Sequence, residues 1–109
     1  MYSVPAAWSV SVEAAQFTAG SWIDASWARP PQNDGNQNDY IGIYEAGKEQ
    51  PLQYQYVGFG NQGKVTLQAP TPTVSPLSYR LQFMNGATGK AMASSQVFAV
   101  TNVRVYIVV

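Results

Sequence analysis

The chain has 109 residues, of which 46% are hydrophobic and 11% are charged, and its six basic side chains balance its six acidic ones. A chain of this length forms one hydrophobic core, so the sequence predicts a single domain over residues 1–109. Zero net charge argues against the basic surface that nucleic acid or an anionic membrane selects. We therefore expect neither nucleic acid nor membrane insertion.

Two residue types that carry much of enzyme chemistry are missing, because the chain contains no cysteine and no histidine. Their absence rules out disulfides, thiol nucleophiles, imidazole metal ligands and the Ser-His-Asp and Cys-His catalytic pairs. The six carboxylates show no spacing that predicts the paired acids of a glycoside hydrolase, and we expect them on solvated faces. The sequence therefore predicts no enzyme and no catalytic residue.

The first residues lack the basic segment and the apolar run of a signal peptide. No apolar stretch reaches the length of about 18 residues that a membrane-spanning helix needs. The sequence thus predicts a cytoplasmic protein, or one secreted without a signal peptide.

In chain order, short runs rich in Val, Ile, Tyr, Phe and Trp alternate with turns rich in Gly, Pro, Asn and Ser, a pattern typical of β-strands. The longest polar loop lies between the second and third runs. The predicted strands are residues 8–17, 21–27, 39–45, 53–59, 64–69, 77–85, 92–100 and 103–109. Alternation predicts these inward side chains: Ile23, Ala25, Trp27, Ile41, Ile43, Val65, Leu67, Tyr79, Leu81 and Phe83.

Eight short strands, turns at roughly 8–12-residue spacing and no helical period predict an all-β fold. The specific expectation is an antiparallel immunoglobulin-like or fibronectin-III-like β-sandwich of seven to eight strands. Residues 101–109 are predicted to add an extra C-terminal strand. This strand is β-prone with a single charge, and an open edge of that kind pairs with its own sheet or with another copy. Together with zero net charge, this favours a homo-oligomer.

One group of known domains has a third strand that reads Asp-Trp-Ile-Gly-Leu-Tyr, and residues 39–44 here read Asp-Tyr-Ile-Gly-Ile-Tyr. The chain thereby resembles the Ig-like or fibronectin-III-like accessory domains found beside metallophosphatases and glycosidases, and their SKICH-like relatives. Further matches are Trp27, Ser-Tyr-Arg-Leu at residues 78–81 and Ser-Gln-Val-Phe-Ala-Val at residues 95–100. The resemblance covers about residues 8–100 and implies a β-sandwich with a non-enzymatic role. It implies nothing about a ligand.

Several aromatic side chains are predicted to point outward from their strands. Trp22 faces solvent on the second predicted strand, and Tyr40, Tyr44, Tyr54 and Tyr56 form an outward stripe on two neighbouring strands. Two interpretations stay open. Either the rings pack under loops or the N-terminal segment, or they form an interaction face for the apolar side of sugar rings or for a second subunit.

Polar side chains crowd the loop before the third predicted strand. Asp34, Asn36, Asn38 and Asp39 place oxygen atoms in a pattern weakly similar to a Ca²⁺ loop. Because the glycine is misplaced and no glutamate closes the loop, an ordinary Asn-rich and Asp-rich turn is favoured, and no cofactor is predicted.

In an immunoglobulin-like topology this loop lies at the same end of the domain as residues 85–90. We expect a shallow polar pocket there, and two solvated turns are the alternative. The pocket would present Asp34, Asn36, Asn38, Asn85 and Lys90.

The leading functional hypothesis is a lectin that binds neutral glycans without changing them and gains avidity by oligomerising. The pocket residues are expected to contact sugar hydroxyls, and Trp22, Tyr40 or Tyr54 to stack on the sugar. The alternative is a structural or protein-interaction module that assembles through residues 103–109 by β-strand addition. A third hypothesis, an enzyme, requires one essential Asp or Glu.

Overall fold

The computed structural model describes residues 7–30 and 38–102, and in them the chain is all-β, as predicted. These residues form nine strands and no helix, so they include no helix that is long and apolar enough to cross a membrane. The strands are β1 (Ser9–Val12), β2 (Gln16–Thr18), β3 (Trp22–Ala28), β4 (Tyr40–Glu45), β5 (Gln53–Tyr56), β6 (Gln62–Gln68), β7 (Leu77–Met84), β8 (Ala91–Ser94) and β9 (Phe98–Thr101).

The strands belong to two sheets. A three-stranded sheet has the order β1-β3-β6, and a six-stranded sheet has the order β2-β9-β7-β4-β5, with β8 also paired to β7. Strand β2 runs parallel to β9, whereas the other strand pairs of the described residues are antiparallel. The six-stranded sheet is therefore mixed, which corrects the prediction of a purely antiparallel fold.

Two of the predicted strands are each divided in the structure. Residues 8–17 form β1 in one sheet and β2 in the other, so the chain changes sheets between them. Residues 92–100 divide into β8 and β9, and Ser95 lies between them. The Ser95 hydroxyl accepts a hydrogen bond from the Leu81 N–H at 2.9 Å and so maintains contact with β7 across the break. The predicted strand at residues 103–109 lies outside the described residues.

The core lies between the two sheets and consists of the inward side chains that alternation predicted. Ile23, Ile41 and Leu81 are fully buried, and Trp27 is 5% exposed. The rings of Trp27 and Phe83 meet edge to face across the core, with centroids 5.5 Å apart. The ten side chains that the sequence predicted to point inward all belong to this buried cluster.

Trp27 fits beside β6 because its cross-strand neighbour is Gly63. A Cβ atom added to Gly63 would lie 2.8 Å from Cζ2 of Trp27, closer than real Cβ atoms approach a ring carbon. The indole cannot easily move, since Phe83 and the Arg29 guanidinium pack against it. The Trp27 indole N–H is buried and has no hydrogen-bond partner among the described residues.

Replacing Gly63 with Ala is expected to lower the free energy of unfolding by about 1–3 kcal/mol, because the new methyl group overpacks the Trp27 ring. Urea unfolding followed by tryptophan fluorescence measures the change. Gln62→Ala is the control, since Gln62 is the exposed neighbour of Gly63 on the same strand, and we expect a change within about 0.5 kcal/mol. Equal stabilities of the two variants would contradict the packing argument.

Candidate functional site

Three tyrosine rings cluster on the outward face of the six-stranded sheet, where β4 pairs with the edge strand β5. Tyr40 lies opposite Tyr56, and Gly42 lies opposite Tyr54, so the three rings share one side of the sheet. The ring centroids are 5.1 Å apart for Tyr40 and Tyr54, 5.4 Å for Tyr54 and Tyr56, and 6.3 Å for Tyr40 and Tyr56. Tyr54 is 51% exposed and Tyr56 is 52% exposed. We call these three residues the tyrosine face.

Strand β5 is attached to the other sheet as well as to β4. The Gln53 side-chain amide donates to the Gln68 carbonyl, and its oxygen accepts from the Gln68 N–H at 3.1 Å. Gln68 belongs to β6 of the three-stranded sheet. This paired amide contact holds the edge strand that carries the two exposed rings.

Tyr44 was predicted to belong to the outward aromatic stripe, but it is only 1% exposed. It does lie on the outward side of β4, opposite Arg80. Its ring covers Gly42, where an added Cβ would lie 3.0 Å from Cε1 of Tyr44 and 3.1 Å from Cβ of Pro51. The exposed-stripe interpretation is therefore wrong for Tyr44, which packs under neighbouring groups, whereas Tyr54 and Tyr56 are exposed.

Burial and hydroxyl contacts make two of these phenols weaker acids. Burial raises the pKa of Tyr44 well above the ordinary value of 10.0, and a hydrogen bond with Tyr40 raises it further. The pKa of Tyr56 is raised chiefly by its hydrogen bond with Tyr54. Both hydroxyls consequently stay protonated at neutral pH and serve as neutral hydrogen-bonding groups.

A guanidinium group borders the tyrosine face on β7. Arg80 lies opposite Tyr44, with its Cζ atom 5.8 Å from the centroid of that ring. When the Gln82 amide is oriented to satisfy its hydrogen bonds, its oxygen accepts from Arg80 Nε at 3.0 Å and from Nη2 at 2.9 Å. No Asp or Glu side chain of the described residues forms an ion pair with Arg80. The ion pair found among them joins Arg29 and Asp39.

A buried ion pair lies just before the first residue of β4. Arg29 Nη1 donates to Asp39 Oδ2 at 2.9 Å, and these side chains are 0% and 1% exposed. Arg29 Nε donates to the Gly60 carbonyl at 2.6 Å, and Nη2 donates to the Gly58 carbonyl. Asp39 Oδ1 accepts from the Gly86 N–H at 2.8 Å. The ion pair thus connects the end of β3 and the start of β4 with the loops that precede β6 and β8.

This ion pair corrects the expectation that Asp39 lies on a solvated face. The residue is buried, and both of its carboxylate oxygens accept hydrogen bonds from the protein. No role was predicted for Arg29, although the sequence held a signal: Arg29 continues the inward alternation of Ala25 and Trp27. Guanidinium groups are the cations that suit buried pairs, because they make several directed hydrogen bonds.

The predicted polar pocket is described only in part, because Asp34 and Asn36 lie outside the described residues. Asn38 is exposed and lies against Gly86, so this one described residue of the first loop contacts the second loop. The Asn85 side-chain oxygen accepts from the N–H groups of Ala87 and Thr88 and so stabilises its own turn. Lys90 is exposed at the other end of that turn.

Trp22, another predicted stacking residue, does not join the tyrosine face. It is 64% exposed and lies on β3 of the three-stranded sheet, opposite Gln68. The same sheet has a cleft of about 250 Å³ lined by Ser11, Val12, Glu13, Asp24, Ser26 and Lys64. In the residues that the structure describes, no three His, Cys, Asp or Glu side chains form a metal-binding group.

The described part of the chain thus offers an aromatic surface with neutral hydroxyls, one amide and one guanidinium beside it. Aromatic rings can stack on the ring of a ligand, and hydroxyl, amide and guanidinium groups can form hydrogen bonds with its polar groups. A comparison with protein-family models and one with curated proteins give no match to this chain. The resemblance to Ig-like accessory domains therefore stays an expectation from the residues quoted above.

Removing one member of the buried ion pair is expected to destabilise the fold strongly. Asp39→Asn removes the Asp39 charge from its place beside the buried Arg29 guanidinium, and we expect a loss of about 3–5 kcal/mol in the free energy of unfolding. The double variant Arg29→Met with Asp39→Leu should recover part of that loss, since it buries no charge. Denaturant unfolding measures all three proteins.

The control for the ion pair is Asp24→Asn, which changes an exposed carboxylate whose Oδ1 accepts from the Thr66 hydroxyl at 3.0 Å. We expect it to cost less than about 1 kcal/mol. A loss of similar size in Asp24→Asn and Asp39→Asn would show that the buried pair has no special importance.

Alkaline pH is expected to destabilise the protein through Tyr44. The unfolded chain releases the Tyr44 proton near pH 10, whereas the folded protein retains it because its pKa is raised. Stability from this group is complete below about pH 10 and falls above it by up to about 1.4 kcal/mol per pH unit. Unfolding free energies measured from about pH 9 to 11.5 should fall less steeply in Tyr44→Phe. Parallel curves for the two proteins would contradict the assignment.

Proposed function

We propose that this protein binds glycans without transforming them, and that the tyrosine face is the contact surface. The observation that carries the proposal is the half-exposed state of Tyr54 and Tyr56, whose rings are fixed by edge-to-face contacts. A contiguous patch of exposed apolar side chains on a soluble protein often marks an interaction or ligand-binding site, whereas a single exposed apolar residue is common and marks nothing. Fixed rings also lose little conformational entropy when a ligand binds.

A sugar suits this surface because it combines an apolar C–H side with a rim of hydroxyls. The C–H side stacks on a tyrosine ring, and the hydroxyls pair with neutral donors and acceptors. The Tyr54 and Tyr56 hydroxyls and the Gln82 amide are such groups. Since stacking requires no charge, the proposal includes the neutral glycans that the sequence favoured.

The loop end supplies further polar groups close to Tyr40. Tyr40 follows Asp39 in the chain and lies opposite Met84, the residue before Asn85. We propose that Asn38, Asn85 and Lys90 form the rim of the site and contact hydroxyls of a bound glycan. Their proximity is supported by the contact between Asn38 and Gly86.

We propose an immunoglobulin-like arrangement for the two sheets, and assembly of several copies. The strand orders β1-β3-β6 and β2-β9-β7-β4-β5, with the first predicted strand shared between the sheets, support that arrangement. A shallow face of two exposed rings gives weak affinity for one sugar, and several linked copies would raise the avidity. The alternative of assembly through residues 103–109 stays a prediction.

Tyr54→Ala is expected to weaken glycan binding by about 5- to 30-fold, because it removes an exposed stacking ring worth about 1–2 kcal/mol. A glycan array identifies the ligands, and calorimetry with the best ligand measures the affinity. Stability should change little, since half of the ring is already exposed.

Trp22→Ala is the matched control, because its ring is exposed to a similar degree on the opposite sheet. We expect it to bind as the parent protein does. If Trp22→Ala loses binding and Tyr54→Ala retains it, the tyrosine face is the wrong surface. If the folded protein binds no glycan at any density on the array, the proposed function is wrong.

A further inference from the structure

We infer that the tyrosine face prefers a sugar that carries a carboxylate, such as a hexuronic acid, over its neutral counterpart, and that Arg80 binds the carboxylate. This inference rests on the proposed function and names the class of glycan. It concerns preference, because stacking on Tyr54 and Tyr56 is available to neutral and acidic sugars alike.

The local charge of the face differs from the neutral average of the chain. Register and alternation identify the outward residues of β7, β4 and β5 around the tyrosine face. They are Ser78, Arg80, Gln82, Met84, Tyr40, Gly42, Tyr44, Tyr54 and Tyr56. Within this described set Arg80 is the single charged residue, and Lys90 of the proposed rim is basic as well. The side chains proposed for the site therefore carry a net positive charge.

Arg80 is placed to contact a ligand that stacks on β5. Gln82 and Tyr54 lie on either side of Gly42 in one row of the sheet, and Arg80 and Tyr44 occupy the next row. Strands β7 and β5 are two strand spacings apart, about 10 Å. The Tyr44 ring and Pro51 fill the space above Gly42. A sugar stacked on Tyr54 would therefore reach Arg80 by extending across these two groups.

The guanidinium is held in position but is not neutralised. Gln82 accepts from Nε and Nη2, and the Tyr44 ring lies beneath, so the group is oriented at little further entropy cost. The Gln82 oxygen carries no formal charge, and no carboxylate of the described residues lies within ion-pair distance of Arg80. A ligand carboxylate would supply the missing negative charge through charge-assisted hydrogen bonds, which are the stronger kind.

Matched pairs of methyl glycosides test the preference. The probes are the methyl β-glycosides of glucuronic acid and glucose, and those of galacturonic acid and galactose, titrated into ¹⁵N-labelled full-length protein. The acidic member of a pair is expected to bind about 3- to 10-fold more tightly. The difference in affinity should shrink at high salt, because the ion pair between Arg80 and the glycoside carboxylate would be partly exposed to solvent. The largest shifts are expected at Tyr54, Tyr56 and Arg80.

Arg80→Gln is expected to remove the difference within a pair while the neutral glycoside still binds. Arg80→Lys retains the charge without the planar fork and should keep part of the preference, which also gives a measurement if Arg80→Gln does not fold. Lys64→Gln on the three-stranded sheet is the control for loss of one positive charge. It should leave the preference unchanged.

Equal affinities within both pairs would overturn the inference and leave the proposed function standing. A preference for the acidic glycoside that survives in Arg80→Gln, or that disappears in Lys64→Gln, would also overturn it. If none of the four glycosides and no arrayed glycan binds to the folded protein, the inference and the proposed function both fall.

Discussion

The buried ion pair between Arg29 and Asp39 holds together the end of the domain from which the tyrosine face begins. Burying a charge costs several kcal/mol, and the cost is offset only where the remaining hydrogen-bonding groups are satisfied. Here the carboxylate also accepts from Gly86, and the guanidinium donates to two backbone carbonyls. Arg29, Asp39 and the loops that contain their backbone partners are four separate segments of the chain. The ion pair therefore fixes these loops relative to the strands. Strand β4 starts directly after Asp39, so the placement of its outward side chains depends on this contact.

The outward side of β4 then divides into a covered part and an open part. Gly42 leaves room for both the Tyr44 ring and Pro51, and Arg80 borders the ring. The rings of Tyr54 and Tyr56 belong to the edge strand, where no further strand of the described residues lies beside them. Burying one phenol stabilises the sheet, and the edge position leaves two others available for a ligand. The burial of Tyr44 depends on one glycine, since a side chain at position 42 would displace the covered ring.

The core could be predicted from the sequence because strand alternation decides which side chains point inward, and Ile23, Trp27 and Leu81 follow that rule. Alternation placed Tyr44 on the outward side of its strand, but it does not decide how much of an outward side chain is covered, so it left open whether Tyr44 is exposed. It also carries no information on pairing between distant residues, so the partnership of Arg29 with Asp39 was missed. The division of residues 8–17 falls at Glu13, Ala14 and Ala15, residue types that form strands poorly, but this local signal does not say which sheet each half joins. The loop residues Asp34 and Asn36 lie outside the described residues.

Net charge and local charge answer different questions about the ligand. The zero net charge of the whole chain concerns solubility and long-range attraction, and it favours no charged partner. A sugar that touched the tyrosine face would interact with the groups within a few ångströms. Among the described outward residues of β7, β4 and β5 the charge is that of Arg80, and Lys90 of the proposed rim is also basic. Because the rings, the Gln82 amide and the guanidinium are oriented by contacts within the protein, little further ordering would accompany the proposed binding. A small oriented site of this kind distinguishes ligands well but binds each weakly, so specificity would come from one domain and affinity from several copies.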